Sequence, residues 1–181
     1  MDWLSDEDIM LEVKQGNIDA LSLLFKRHHK HLFNFFLQTG VEYHHSEDLT
    51  QQVFYRILKY KDSYREKAGF RKWMFTIARN IMRRHFETRK RHPEQELPAI
   101  LLNISERQTI DSEEEERIKA LYKALEKIPP QDRELISLSR FQGMKYEDIA
   151  EITGTTVGAI KVKMHRALKK LRDLYFEKAD H

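Results

Sequence analysis

Apolar residues recur three and four positions apart along most of the chain, and no segment alternates convincingly with a period of two. Leu21, Leu24, Phe25, Leu32, Phe35 and Phe36 follow this spacing. At about 100° per residue they share one helix face, which predicts a helix from about Ile18 to Gln38 with Gly40 as its cap. Ahead of it, Ser5 followed by Asp6, Glu7 and Asp8 predicts a helix start, with acids on the positive end of the dipole, and Gly16 its stop. Ser46 is the expected start of a third helix, SEDLTQQVFYRILKY, which would bury Leu49, Val53, Phe54, Ile57 and Leu58. A polar, aromatic-containing turn, KDSYREKAG, leads into FRKWMFTIARNIMRRHFETRKR, with Phe70, Trp73, Met74, Ile77 and Ile81 as the inner face of a fourth helix.

The pattern then lapses. Residues 93–112 carry Pro93, Pro98 and a short apolar patch, AILLNI, and read as a linker. From Glu113 the helical period returns in EEEERIKALYKALEKI, breaks at Pro129 and Pro130, and resumes in QDRELISLSRF, MKYEDIAEITG and TTVGAIKVKMHRALKKLR. Two short helices around Thr153 and Gly154 have the spacing of a helix-turn-helix, whose second helix can enter the DNA major groove. In that second helix Val157, Ile160, Met164, Leu168 and Leu171 form a single stripe to be buried. The fold class expected is all-α, with two small helical domains, 1–92 and 113–181, joined by an acidic linker.

Composition narrows the class. A hydrophobic fraction of 40% beside 34% charged residues describes a folded chain, and four prolines with six glycines suit long helices. The absence of cysteine excludes a disulfide framework and cysteine-ligated zinc. No apolar run nears the roughly 20 residues that span a bilayer. The first residues, MDWLSDEDIM, are acidic where a signal peptide is basic, so the expectation is a soluble, cytoplasmic protein without membrane insertion.

Charge changes the picture more than composition does. The net charge is only +3, but Pro93 to Ile118 holds eight acids against two bases, so the flanks are strongly basic. Thr155 to Arg172 contains six basic residues and no acid. A solvated helix gains support from opposite charges at i and i+4, whereas these bases repel one another. Phosphates are the counterions that make the arrangement sensible. Lys161 and Arg166 suit base or phosphate contacts, Lys163 and Lys170 phosphate, and His165 either. A second basic tract, RNIMRRHFETRKR, follows Tyr64, Phe70, Trp73 and Phe75, and cations beside aromatic rings suit single-stranded nucleic acid. Trp73 is expected in the core. Two separate basic units imply contacts at two DNA sites.

In their order and spacing, the GN-ID-AL stretch from Gly16 to Leu21, SEDLTQQVF, FRKWMFTIARN and IPPQDRELISLSRFQGMKYEDIAEITGTTVGAIKVKMHRALKKLR make the chain resemble an extracytoplasmic-function sigma factor of the sigma-70 family. The resemblance implies that Asp48, Gln51 and Gln52 dock on the clamp helices of core RNA polymerase, with Gln52 standing where the family usually has Glu. It implies that Tyr64, Phe70, Arg71, Thr76, Arg79, Asn80 and Arg83 bind and melt the minus-ten element, the loop from Asp62 to Gly69 capturing a flipped base. Lys161, Val162, Lys163, His165, Arg166 and Lys169 would read the minus-thirty-five element as duplex DNA. Ala159, Val162 and His165 depart from common family choices. The linker would thread the polymerase cleft, the polymerase flap would be a second docking point, and an anti-sigma factor would hold the protein inactive.

Two other classes compete. An ordinary helix-turn-helix regulator would bind duplex DNA without polymerase, leaving the aromatic, basic N-terminal unit unexplained. A metal enzyme would use HHKH (His28 to His31) and His44 and His45 beside Glu47 and Asp48, but no HExxH accompanies them. No catalytic residue, metal or cofactor is expected.

Overall fold

A computed structural model describes residues 3–91 and 112–177. All of the regular elements among them are helical: α1 (Asp6–Lys14), α2 (Leu21–Gln38), α3 (Tyr43–Lys59), α4 (Phe70–Arg91), α5 (Ser112–Glu126), α6 (Pro130–Ile136), α7 (Tyr146–Thr153) and α8 (Val157–Phe176), with short 3-10 and π turns between some of them. The chain divides into two compact units, Met1–Asn34 with His45–Glu94, and Phe35–His44 with Gln95–His181. Apart from Ser112, the first residue of α5, the expected linker at 93–112 and its AILLNI patch lie outside the described residues.

The first unit starts with a capping box. Ser5 Oγ accepts from the Asp8 N–H at 3.1 Å, and the Asp8 carboxylate accepts from the Ser5 N–H at 3.2 Å, satisfying two donors that the first turn of a helix leaves unpaired. Asp6 then holds α1 against α2. It accepts from Arg27 Nη1 at 2.9 Å and lies 2.6 Å from His28 Nε2. Burial works against its ionisation, but the hydrogen bonds and charges of His28 and Arg27 outweigh that and hold its pKa below the usual carboxylate value. Ile9, Met10 and Val13 of α1 pack inward, with Leu24, Leu32, Val53, Ile57 and Met74 from the longer helices.

Three expectations need correction here. The third helix begins at Tyr43, so Ser46 is a fully buried interior residue and not its cap. Ile18–Ala20 is a separate 3-10 turn ahead of α2, and Phe25 is 38% exposed, its ring against those of Phe54 and His29 at the edge of the stripe. On α4 the inner face also takes in Phe75, Ala78 and Met82, while Trp73 and Ile77 lie at its half-buried margin.

In the second unit Pro129 precedes α6 and Pro130 opens it, the first helical position being where a missing N–H costs nothing. The expected continuous helix QDRELISLSRF is α6 followed by a π turn at Ser137–Phe141. Ser137 Oγ donates to Gln38 Oε1 at 2.6 Å, both side chains buried, and Gly40 (φ 97°) leaves so little room that a Cβ would fall 2.8 Å from the Arg133 guanidinium. Phe35–His44 belongs to this unit, in which these contacts lie. Ala124, Leu125, Ile128, Leu138, Ile149, Ile160 and Met164 complete its interior.

Candidate nucleic-acid interface

The helix-turn-helix is built by local chemistry. Gly154 ends α7 in the left-handed conformation (φ 68°, ψ 37°), which a residue with a Cβ adopts only with strain. Thr155 N–H donates to the Ala150 carbonyl at 3.0 Å, and Thr156 Oγ1 accepts from the Ala159 N–H at 3.2 Å to cap α8. Ile149, Ala150 and Ile152 of α7 and Ile160, Met164 and Ala167 of α8 are the buried residues of the pair. Their burial fixes how α8 is turned.

With that face inward, Lys161, Val162, Lys163, His165, Arg166 and Lys169 are all exposed. At about 100° per residue Lys161, Val162, His165, Arg166 and Lys169 fall in one sector of about 140°, with Lys163 at its flank. None of their side chains makes a hydrogen bond or ion pair with another described residue. Val162, 51% exposed within the sector, is an apolar contact surface amid cations. Leu168 and Leu171, expected in the buried stripe, are only half-buried and line an open groove with Ile118 and Leu121 of α5.

On α4, Thr76, Arg79, Asn80 and Arg83 share one sector of about 100°. Thr76 donates its hydroxyl to the Lys72 carbonyl at 2.8 Å, and Asn80 and Arg83 are exposed. Arg71 does not join them. It lies about 140° around the helix from Thr76 and is half-buried.

The loop before α4 consists of two 3-10 turns, Lys61–Ser63 and Glu66–Ala68. Tyr64 and Phe70, both expected to contact DNA, are 1% and 0% exposed, so neither presents a ring to a ligand. The physical reason is an aromatic cluster: the Tyr64 ring centre lies 5.1 Å from that of Trp73 and 6.4 Å from that of Phe70. Phe75 is buried too, which leaves Trp73 as the partly accessible ring at the edge of the α4 polar sector. Its apolar neighbours in sequence concealed this, because Trp73 sits at the margin of the inner stripe.

On α3, Asp48, Gln51 and Gln52 are exposed on the side opposite Leu49 and Val53. The same sector holds Tyr55, 65% exposed, which the sequence reading missed. A large aromatic breaking the apolar period on an outward position was the available signal. Of the histidines, His28 bonds to Asp6 and His45 packs its ring 4.9 Å from that of His85. His28 and His31 enter no group of three potential metal ligands among the described residues.

Comparison with known proteins agrees with this geometry. Residues 24–92 match the family model for Sigma-70 region 2, and residues 118–171 that for Sigma-70, region 4. The ECF RNA polymerase sigma factor EcfG of Rhodopseudomonas palustris is 34% identical over 133 residues, covering 72% of this chain and 71% of that protein. The RNA polymerase sigma factor CarQ of Myxococcus xanthus is 28% identical over 174 residues, covering 93% and 96%. Two solved structures share the fold: CnrH in complex with the cytosolic domain of CnrY (TM-score 0.71, 24% identity, covering 97% of this chain and 99% of that one), and the sigma factor RpoE of Bartonella quintana in complex with the anti-sigma factor NepR (TM-score 0.71, 24% identity, covering 84% and 94%). With both regions matched, and a relative of this identity over most of the chain, the protein belongs to the extracytoplasmic-function sigma factors of the sigma-70 family.

Proposed function

We propose that the chain, as an alternative sigma factor, divides promoter recognition between its two basic surfaces. The observation that carries this reading is the exposed face of α8, which gathers cations from Lys161 to Arg172 with no acid until Asp173 near the end of the helix. Lys161, Val162, His165 and Arg166 read base edges of the duplex minus-thirty-five element, while Lys163 and Lys169 hold phosphate. Thr76, Arg79, Asn80 and Arg83 of α4 engage the opened minus-ten strand, with residues Asp62 to Gly69 of the Tyr60–Gly69 loop receiving a flipped base. Flipping costs a few kcal/mol of stacking and pairing, which a cationic wall and a preformed receptacle offset. Tyr64 and Phe70 support that receptacle from beneath. Residues 1–92 and 113–181 act as the two functional domains, the acidic linker between them lying in the polymerase cleft.

Asp48, Gln51 and Gln52, with Tyr55 among them, form the surface for the polymerase clamp helices, and the groove between α5 and α8 receives the flap. The protein initiates transcription without itself being an enzyme, needs no metal or cofactor, and works in the cytoplasm. No helix of the described residues is long and apolar enough to cross a membrane. An anti-sigma factor controls it, as NepR is paired with RpoE in the Bartonella complex.

Transcription with core polymerase from a promoter that must be melted, chosen by sequencing DNA bound by the factor with core, tests the reading. Initiation above that of core alone is the expected result. Duplex binding with no gain in initiation would favour an ordinary helix-turn-helix regulator.

A further inference from the structure

Helix α1 has no role in either DNA surface, yet it is tied to the Tyr60–Gly69 loop by side chains far apart in sequence. Glu7 Oε1 accepts from the Phe70 N–H at 2.9 Å. That N–H is the first of α4, one of the four that a helix start leaves without an internal partner, and a carboxylate there also meets the positive end of the dipole. At the other end of α1, Lys14 Nζ donates to the Tyr64 carbonyl at 2.9 Å, and Lys61 Nζ donates to the Lys14 carbonyl at 3.1 Å. The exchange is reciprocal. A lysine of α1 satisfies a loop carbonyl, a loop lysine satisfies the last carbonyl of α1, and both bonds are charge-assisted.

These contacts bracket the loop. Lys14 grips it at Tyr64, between its two 3-10 turns, and Glu7 fixes the residue where it enters α4. Between those points Arg65, Glu66 and Lys67 are exposed. Short 3-10 turns have poor hydrogen-bond geometry and do not hold a shape unaided. Helix α1 is itself held by its capping box, by Asp6 with Arg27 and His28, and by Arg27 Nη1 donating to the Leu4 carbonyl at 2.9 Å.

We propose that Glu7 and Lys14 are positioning residues that preshape the Tyr60–Gly69 loop for the flipped minus-ten base, so that α1 is a brace for promoter opening. The proposal rests on the reading of that loop given above. A receptacle ordered before DNA arrives does not lose conformational freedom at the moment of capture, so loss of the brace should slow opening and leave the other contacts intact.

The test uses the full-length protein with core polymerase on a promoter recovered by sequencing bound DNA. Lys14→Met keeps the apolar stem and removes the ammonium, while Glu7→Ala removes the acceptor and Glu7→Gln restores one. Hydrogen exchange at the Ser63, Tyr64, Ala68 and Gly69 amides should quicken about tenfold in Lys14→Met and Glu7→Ala, and exchange in α3 and α8 should not change. Permanganate reactivity at the minus-ten element should develop about tenfold more slowly, with core affinity and upstream duplex binding within about twofold of wild type. Glu7→Gln should lie near wild type in both measurements. Unchanged exchange would overturn the brace. So would faster exchange with normal opening, provided that Asn80→Ala slows opening in the same assay. If Asn80→Ala and Lys14→Met both open normally, the minus-ten reading of this unit fails and the proposal with it.

Discussion

Tyr64 carries two properties that pull apart. Its ring is a well-packed member of an aromatic cluster, but its hydroxyl is buried without a hydrogen-bond partner among the described residues. A buried polar group left unpaired is costly, so Tyr64→Phe should stabilise the protein by about 1 kcal/mol, measured by urea unfolding. Loss of stability would show that the hydroxyl is satisfied in solution. The phenol's pKa is pushed up to about 12, first by burial and then by the negative charges of Glu7, Glu66 and Asp6. Its contribution is therefore fully present below the unfolded value near 10 and is lost as pH rises through the folded one. Wild type should lose more stability than Tyr64→Phe on going from about pH 10 to about pH 11. Asp6 behaves in the opposite sense. Its lowered pKa means stability present above the ordinary carboxylate range and lost as pH falls through the folded value, so Asp6→Asn should flatten the acid limb of the stability profile. The residue type at position 64 was readable as an aromatic near a basic tract. Its inward direction was not, because that depends on Phe70 and Trp73 arriving from the next helix.

Among the elements, α8 is the one whose function depends most on how its start is fixed. Thr156 caps it and Gly154 turns the chain into it, both through local bonds. Thr156→Ala should cost about 1 kcal/mol by loss of the cap, and Gly154→Ala a similar amount by strain at positive φ, since the space around it is open. Both would be read as shifts in the thermal midpoint. The turn around Gly154 was legible in the sequence because left-handed turns are chemistry between near neighbours, whereas the Thr156 cap, equally local, was not read there. Legible too was the basic outer face, whose period sets Lys161, His165 and Arg166 together whatever they pack against. By contrast, the inner half of α4 was read too narrowly. Three-four spacing locates the centre of a stripe, but its width depends on how much of the helix circumference the surrounding elements cover.

For the whole molecule, the two-surface reading separates defects that a single binding surface would merge. Lys161→Ala with Arg166→Ala should weaken binding to duplex upstream DNA and relax its sequence preference, whereas Lys163→Ala with Lys169→Ala should lower the salt dependence of that binding by roughly two counterions. Arg79→Ala with Asn80→Ala should leave upstream binding near normal and reduce permanganate reactivity at the minus-ten element. The same defect from both pairs would refute the division of labour. The sequence by itself determined the all-helical class, the helix-turn-helix, the segregated charge and the order of motifs that identifies the family. The first three follow from periodicity, capping and composition, which act over a few residues, and the last from the resemblance of those motifs to the family. Only the tertiary structure decided that the rings of Tyr64 and Phe70 are buried, and that α1 bonds to the loop through Glu7 and Lys14. The pairs concerned are brought together by core packing across 50 residues between Lys14 and Tyr64 and 63 between Glu7 and Phe70, separations at which local spacing carries no information.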